Sequence, residues 1–302
     1  MTEPIACFPD DSLPARIRSR SGRALATGAL VPIATTERRI DDGGVRFVVR
    51  AVSSLARKRW DSLSPPVRSN PANPFLPYDP DLFVGDLGAS HVCLLNKFPV
   101  IDGHVLIVTS AFEHQDRLLG RQDFDALFRC LKPIDGLGFY NGGTVAGASQ
   151  PHKHMQVVPL PLSTDDGPPV PIAARLNADS SAVEGIARVD LPFRHRVARL
   201  DRRRMTHADA AGSVVHDLYQ RMLDALGIGP VERHGGPCAA SAYNLLITLD
   251  WMLLVPRSRE NVATVSVNAL GFAGSLFVRD DKEMDLIAAT GPMTLLRDVG
   301  FA

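Results

Sequence analysis

The chain has 302 residues, 45% of them hydrophobic, and its 33 Lys and Arg are balanced by 33 Asp and Glu. This length allows one large domain or two ordinary ones, and the zero net charge excludes a general attraction to nucleic acid or an anionic membrane. No apolar run approaches the roughly 18–20 residues of a membrane helix, and the N-terminus carries no signal-peptide pattern. The four cysteines form no close pair. We therefore expect a reduced, cytoplasmic protein without a C-x-x-C metal or redox site.

The first half of the chain combines short apolar strands with one clear helix. Apolar residues recur at helical spacing from Phe124 to Leu131, and Pro133 follows them, which predicts a helix ending near that proline. Six prolines between Ser64 and Pro80 exclude helix and central strand there and predict an extended connector. Runs of β-branched residues bounded by turn formers predict strands at Val45–Arg50, His91–Asn96, Val105–Ser110 and His154–Pro159.

A stretch rich in helix and strand breakers, from Leu160 to Pro171, separates the two halves. Beyond it, an apolar face from Val214 to Leu226, followed by Gly227, predicts a second helix. Further strands are predicted at Tyr243–Thr248, Met252–Pro256, Val262–Asn268 and Ser275–Arg279. Runs of strands with few helices between them favour an α+β fold on an antiparallel sheet, with an N-terminal domain over residues 1–165 and a C-terminal domain over residues 185–302.

A row of polar side chains begins at His152 and runs into the strand predicted at His154–Pro159. His152, His154 and Gln156 alternate with Lys153 and Met155. Because successive strand residues point to opposite faces of a sheet, the two imidazoles and the amide project from one face.

A glycine-rich loop leads into this strand. It contains Asn141-Gly142-Gly143 and then Gly147-Ala148-Ser149-Gln150. Glycine permits close approach of the backbone to a ligand, and successive N–H groups in such a loop can form a nest for an anion. The Ser149 hydroxyl and the Gln150 amide add side-chain donors, so the sequence predicts a phosphate cradle next to a row of imidazoles.

This combination indicates nucleophilic catalysis at phosphorus. A neutral imidazole attacks phosphorus near pH 7, and fixed donors stabilise the charge that spreads over the phosphate oxygens. Three other interpretations stay open at this point. The H-x-H pair could be half of a metal site, the polar row could be a solvated strand face, and the glycines could form only a turn.

The H-x-H-x-Q pattern resembles the histidine-triad superfamily, in the variant of its transferase branches. Asn96–Pro99 with His104–Thr109 resembles the diadenosine tetraphosphate phosphorylases, also called ATP adenylyltransferases. The galactose-1-phosphate uridylyltransferase branch commonly carries cysteine and histidine zinc ligands, whereas this chain has no close cysteine pair. The resemblance covers most of residues 45–280, and its other motifs are Ser54–Lys58, Tyr243–Thr248, Trp251–Ser258 and Asn268–Ser275.

The resemblance implies a role for each matching residue. His154 would be the nucleophile, His152 would position it, and Gln156 would bond the phosphate. The implied nucleotide and phosphate contacts are Lys58, Asn96, Lys97, Asn141, Gly147, Ala148, Ser149, Gln150, Asn268, Ser275 and Arg279. Of these, Asn268, Ser275 and Arg279 match positions near the distal nucleotide.

The implied reaction is reversible phosphorolysis of diadenosine tetraphosphate to ATP and ADP through an adenylyl-histidine intermediate. The implied fold is a histidine-triad-like antiparallel sheet with flanking helices, extended by a C-terminal strand-rich half, in a monomer with no nucleic-acid or membrane partner. No covalent cofactor and no metal ligands are predicted, although a divalent cation such as Mg²⁺ could neutralise the leaving group. Dinucleoside polyphosphate hydrolysis, adenylyl transfer from adenylyl sulfate and non-catalytic nucleotide sensing are the alternatives.

Overall fold

The computed structural model describes residues 12–53, 73–164, 166–176, 185–206 and 208–302. The strands in these ranges are β1 (Thr35–Asp42), β2 (Val45–Val52), β3 (Phe83–Asp86), β4 (His91–Leu95), β5 (Val105–Thr109), β6 (Gly136–Gly142), β7 (His154–Pro159), β8 (Ile186–Ala187), β9 (Arg196–Arg199), β10 (Pro230–Arg233), β11 (Gly236–Ala239), β12 (Tyr243–Ile247), β13 (Trp251–Pro256), β14 (Asn261–Val262), β15 (Val265–Ser266) and β16 (Ser275–Val278). The helices are α1 (Leu13–Thr27), α2 (Arg121–Ile134), α3 (Ala173–Leu176), α4 (Ala208–Ala225), α5 (Ala269–Phe272), α6 (Asp281–Thr290) and α7 (Pro292–Val299).

The largest sheet in the described part of the chain contains nine strands from both halves of the sequence. Its order is β3-β4-β5-β7-β6-β12-β13-β9-β8, and each neighbouring pair is antiparallel. The halves meet where β6 pairs with β12, with Asn141 opposite Asn244. The predicted α+β fold on an antiparallel sheet is confirmed, and the breaker-rich stretch from Leu160 to Pro171 connects two halves that share this sheet.

Helices α1, α2 and α4 cover one face of the nine-stranded sheet. The apolar stripe of α2, including Phe124 and Leu131, is buried against strand residues such as Ile107, Met155 and Leu245. Burial of these large side chains is the main force that holds the helices on this face.

The opposite face is divided into a covered part and a smaller apolar cluster beside it. A three-stranded sheet, β1-β2-β16, packs with α5, α6 and α7 over the β6, β12 and β13 region. The smaller cluster lies on β4 and β5, where Val108 is opposite His154 and Leu106 is opposite Gln156. Opposite residues of an antiparallel pair share a face, so His154 and Gln156 lie between the covered part and this cluster.

Several elements differ from the sequence-based expectations. The single strand predicted over Val262–Asn268 is wrong, because Ala263 adopts φ +50° in a turn that divides the segment into β14 and β15. Pro133 lies inside the last turn of α2, which ends one residue later. Helix α1 was not predicted, since its mean hydropathy is low and only Leu13, Ile17 and Ala24 are buried. No helix in the described ranges is both long enough and apolar enough to cross a membrane.

Candidate active site

His154 begins strand β7 and has one ring nitrogen committed to the protein. Its Nδ1 donates to the carbonyl oxygen of His152 at 2.8 Å, which places the ring proton on Nδ1. Burial lowers the pKa of His154 to about 4, so the ring is neutral near pH 7. No described residue forms a hydrogen bond with Nε2. His154 therefore offers an unprotonated, oriented nitrogen.

His152 is fully buried and has partners at both ring nitrogens. Its Nε2 donates to the carbonyl oxygen of Thr109 at 2.9 Å, and the Asn73 side-chain amide lies 3.0 Å from its Nδ1. His152 precedes β7 in an isolated bridge with His114, which corrects the expectation that the whole polar row lies within one strand. These contacts fix the carbonyl that orients the ring of His154.

Gln156 lies on the same sheet face as His154 and is oriented by a buried histidine. Nε2 of His104 donates to Oε1 of Gln156 at 2.9 Å, while the Asn96 amide donates to Nδ1 of His104 at 3.0 Å. Burial lowers the pKa of His104 to about 4, so this ring also stays neutral and keeps its donor and acceptor roles. Because Oε1 of Gln156 is engaged, its NH₂ group is the part that can donate to a ligand.

Gln115 joins the histidine strand to the glycine-rich loop. Its Oε1 accepts from the backbone N–H of His154 at 2.8 Å, and its Nε2 donates to the carbonyl oxygens of Asn141 at 2.9 Å and His154 at 3.2 Å. The β6–β7 ladder ends at the pair Phe139–Gln156. Beyond this pair, β6 and β7 separate to form the site. The buried side-chain amide of Gln115 joins the two strands there in place of the next ladder hydrogen bonds.

The glycine-rich loop is more closed than the sequence predicts. It winds into a 3₁₀ turn at Thr144–Ala146, and its backbone donors bond within the loop. The N–H groups so engaged are those of Gly143, Ala146, Gly147 and Ala148. This corrects the expected row of free backbone donors, because a tight turn satisfies its own N–H groups.

The donors that stay available follow the turn. Ser149 is exposed and Gln150 is half-buried, and no described residue hydrogen-bonds to either side chain. Gly147 has φ +88°, and a Cβ there would come within 2.9 Å of Asn268. This glycine therefore serves close packing of one chain segment on another.

Asn141 is fixed by a buried network from the C-terminal half. Its Oδ1 accepts from the amide of Asn244 and from the backbone N–H of Ala269, both at 2.9 Å. Arg257 in turn donates to Oδ1 of Asn244 at 2.6 Å. Burial lowers the pKa of Arg257 to about 10, which leaves the guanidinium charged near pH 7. With Oδ1 engaged, the NH₂ group of Asn141 is the part left for a ligand.

Of the three contacts predicted near the distal nucleotide, one lies against the glycine-rich loop and two do not. Asn268 lies against Gly147 and caps α5 through its Oδ1. Ser275 is fully buried and accepts from Arg50 at 2.7 Å, and Arg279 pairs with Glu283 at 2.8 Å. The structure gives no contact between these last two residues and the His154 site.

Two predicted lysines remain to be placed. Lys58 lies outside the described residues. Lys97 is exposed, with its Nζ 5.7 Å from the ring centroid of Phe98. Its neighbour Asn96 orients His104, so Asn96 reaches the site through that histidine.

An apolar surface adjoins the nucleophile. The ring centroid of Phe75 lies 5.2 Å from that of His154, and Phe75 belongs to the small apolar cluster on β4 and β5. An apolar wall beside a row of polar donors suits a ligand with a flat base at one end and phosphates at the other. The other members of this cluster are Val92, Leu94, Leu106 and Val108.

Sequence reasoning missed several residues that organise the site. Asn244 and Arg257 had a readable signal, since a polar residue in or directly after an apolar strand requires a buried partner. Gln115 had none, because its partners lie 26 and 39 residues away in the chain. The importance of His104 depends on the pairing of β5 with β7, which the sequence does not specify.

Two oriented, neutral imidazoles and a glutamine on one face of an antiparallel sheet define a site of the histidine-triad class. A family model described as the Ap4A phosphorylase N-terminal domain matches residues 4–178. A second model, described as the ATP adenylyltransferase C-terminal domain, matches residues 189–302. The chain belongs to the Ap4A phosphorylase family.

Two relatives from Saccharomyces cerevisiae have similar sequences. Protein APA1 is 27% identical over 233 residues, which cover 72% of this chain and 70% of the relative. Diadenosine 5',5'''-P1,P4-tetraphosphate phosphorylase 2 is 28% identical over 245 residues, which cover 72% of each.

Solved structures share the fold. The crystal structure of yeast Ap4A phosphorylase Apa2 in complex with AMP has a TM-score of 0.76 and 23% identity, and the match covers 96% of this chain and 97% of that chain. The same enzyme in complex with Ap4A has a TM-score of 0.75 and also 23% identity, with 96% and 98% covered.

Proposed function

We propose that the protein phosphorolyses diadenosine tetraphosphate to ATP and ADP, with His154 as the nucleophile. Nε2 of His154 attacks the α-phosphorus, a P–N bond forms, the P–O bond to the remaining chain breaks, and ATP leaves. Inorganic phosphate then attacks the adenylyl group, the P–N bond breaks, and ADP is released. Each step is a phosphoryl-centre substitution, and the sequence is reversible.

The observation that carries this proposal is the state of the His154 ring. The proton is held on Nδ1 by the carbonyl of His152 at 2.8 Å, and burial keeps the ring neutral. The lone pair on Nε2 is therefore available without prior loss of a proton. A pure binding protein gains nothing from an oriented, unprotonated nitrogen at this place, so the arrangement supports catalysis over nucleotide sensing.

Amide donors near His154 suit the charge of the transition state. The amide groups of Gln156 and Asn141 each have their oxygen bound by a protein donor, which turns their NH₂ groups toward other partners. The side chains of Ser149 and Gln150 add donors at the end of the glycine-rich loop. Preorganised donors stabilise developing negative charge because they need no reorientation during the reaction.

The identity of the substrate is supported by the family and by the apolar cluster beside Phe75. One relative carries the name diadenosine tetraphosphate phosphorylase, and the yeast enzyme with this fold has been crystallised with Ap4A and with AMP. In this chain the apolar cluster on β4 and β5, beside His154, would take the adenosine of the transferred group. The proposal includes a monomeric, cytoplasmic enzyme without a covalent cofactor.

The test is a product assay with purified protein and diadenosine tetraphosphate, with and without inorganic phosphate. We expect ATP plus ADP only with phosphate, and no turnover in His154→Ala. His216→Ala, a half-buried histidine on α4, is the matched control and should keep full activity. ADP alone, or AMP plus ATP, formed without phosphate would show a hydrolase, and tight nucleotide binding without turnover would show a sensor.

A further inference from the structure

Three side chains that are far apart in sequence meet at the rim of the glycine-rich loop. His114 and Asp116 follow β5, and His234 lies at the tip of the β10–β11 hairpin. Nδ1 of His114 is 3.6 Å and Nε2 of His234 is 3.7 Å from Oδ2 of Asp116. Among the described residues, this is the group of three whose ligand atoms all lie within 4.8 Å of one another.

These separations are close to those of ligands on one ion. Metal–ligand distances of about 2.0–2.2 Å place neighbouring ligand atoms roughly 3.0–3.5 Å apart. The two separations at Asp116 exceed that range by only a few tenths of an ångström. Coordination requires the stacked rings of His114 and His234 to turn, and Nδ1 of His114 to release the 3.2 Å hydrogen bond that it accepts from the backbone N–H of Asp116.

Backbone hydrogen bonds hold the β10–β11 hairpin against the segment after β5, independently of the three side chains. The N–H of Ala239 donates to the carbonyl of Asp116 at 3.1 Å, and the N–H of Leu118 donates to the carbonyl of Pro237 at 3.1 Å. A bridge between Arg117 and Cys238 lies between these bonds. The hairpin that carries His234 is thus fastened to the segment that carries the other two residues.

The tip of the hairpin has a left-handed backbone conformation at His234. His234 has φ +51° and the next residue, Gly235, has φ +74°, which is the pattern of a type I′ turn. Asn, Asp and Gly are the usual residues at the first position of such a turn, and His is among the other residues enriched at positive φ. The turn directs the imidazole onto the ring of His114, and the two ring centroids are 3.6 Å apart.

The ligand types suit a divalent cation. Two imidazole nitrogens and one carboxylate oxygen are ligands that divalent transition metals accept. The nearby guanidinium of Arg233 is directed to the carbonyl of Ala239 at 2.6 Å.

We propose that His114, Asp116 and His234 bind a divalent transition-metal ion. Two imidazoles and one carboxylate favour ions such as Zn²⁺, Co²⁺ or Mn²⁺ over Mg²⁺, which prefers oxygen ligands. A metal lies in the plane of each imidazole ligand, so binding turns the rings out of their parallel stack. His234 has 43% of its side chain exposed and has room to turn.

The position of the site suggests what the ion does. A side chain at Gly143 would begin 3.0 Å from Oδ1 of Asp116, so the carboxylate borders the glycine-rich loop directly. With three protein ligands, the ion keeps open positions for phosphate oxygens. Contact of the ion with the polyphosphate rests on the proposed function, whereas binding of the ion does not.

The test is a titration of metal-free protein with Co²⁺ in the absence of nucleotide, followed by absorption and calorimetry. We expect one Co²⁺ per chain, with affinity lowered at least about 10-fold in His234→Ala and in Asp116→Asn. His216→Ala and His154→Ala are the controls and should bind like the parent protein. The second of these controls separates the site from the active histidine.

No saturable binding, or binding that His234→Ala and Asp116→Asn leave unchanged, would overturn the proposal. Loss of binding in His154→Ala with retention in His234→Ala would place the ion at the active histidine and would also overturn it. Because the titration contains no nucleotide, its outcome is independent of whether the protein phosphorolyses diadenosine tetraphosphate.

Discussion

At the scale of single residues, the site depends on which ring nitrogen carries a proton. His152, His154 and His104 each have a bonded partner that selects one tautomer. Burial lowers the pKa of all three, and it brings those of His104 and His154 to about 4. The imidazoles therefore act as neutral donors, acceptors or nucleophiles rather than as cations.

The lowered pKa of His154 determines how the rate of the reaction should depend on pH. We expect kcat/KM for diadenosine tetraphosphate, measured at saturating phosphate, to fall in acid with a midpoint near 4, because His154 must be neutral to attack. A group with a lowered folded pKa also destabilises the fold in acid, so the unfolding free energy should decrease from about pH 6.5 toward pH 4. Circular dichroism at each pH separates the two effects. A midpoint near 6.5 in folded protein would argue against an attacking His154 of lowered pKa.

Gln115 is a positioning residue whose amide can be tested by an almost isosteric change. In Gln115→Glu the protonated carboxyl keeps an acceptor and one donor, whereas the ionised form loses the donors to His154 and Asn141. We expect kcat to drop about 10- to 100-fold at neutral pH, as for loss of one or two oriented hydrogen bonds, with partial recovery as pH falls.

The matched control is Gln122→Glu on the exposed side of α2, which should keep the parent pH profile. A Gln115→Glu variant with the parent kcat at all pH values would show that the bridge between β6 and β7 does not position the nucleophile. The melting temperature, measured in parallel, reports any general loss of structure.

At the scale of elements, the C-terminal half shapes the phosphate loop of the N-terminal half. Arg257 after β13 and Asn244 on β12 fix Asn141 on β6, and the N-terminus of α5 adds the N–H of Ala269. The loop is thus held by side chains that the chain supplies about 100 residues later. This connection explains why the donors of Asn141 have a fixed direction.

We expect Asn244→Leu to break this connection. It leaves Arg257 without its 2.6 Å acceptor and removes one of the two donors to Asn141, all in a buried place. Unsatisfied buried groups of this kind cost about 1–3 kcal/mol each, so urea unfolding should show a loss of roughly 2–4 kcal/mol together with reduced turnover. Asn261→Leu, at an exposed strand position, should cost less than about 0.5 kcal/mol. Equal effects of the two changes would contradict the assigned network.

The elements divide into those the sequence predicts and those it does not. Strands with an apolar run and clear flanking breakers, such as β7 and β12, were predicted because burial and β-propensity agree there. Helix α1 and strand β1 are polar over most of their length, so no periodic signal marks them. The β14–β15 hairpin was missed because a turn at Ala263 breaks a run that reads as one strand.

The residues of the site likewise divide into those that the sequence predicts and those that it does not. The His152, His154 and Gln156 row was predicted because strand alternation places such residues on one face. The residues that orient them include His104 just before β5, Thr109 on β5 and Gln115 in the loop after β5, and their proximity depends on strand order. Local sequence does not encode strand order, so these residues appeared only in the folded chain.

At the scale of the whole molecule, the two halves are parts of one sheet. β6 and β12 pair over five residues, from Gly138 to Gly142, and the buried network at Asn141 crosses the same line. We expect a single cooperative unfolding transition in calorimetry, with calorimetric and van't Hoff enthalpies that agree. Two separate transitions would show that the predicted domains over residues 1–165 and 185–302 are independent units.

The central claim is that His154 carries the adenylyl group, and mass spectrometry of the intermediate tests it most directly. The protein is mixed with diadenosine tetraphosphate without phosphate, quenched, digested and analysed for a modified peptide. We predict one acid-labile adenylyl group on His154, which added phosphate removes as ADP and which is absent from His154→Ala. Phosphate-dependent turnover without any such adduct, or an adduct on another residue, would contradict the account.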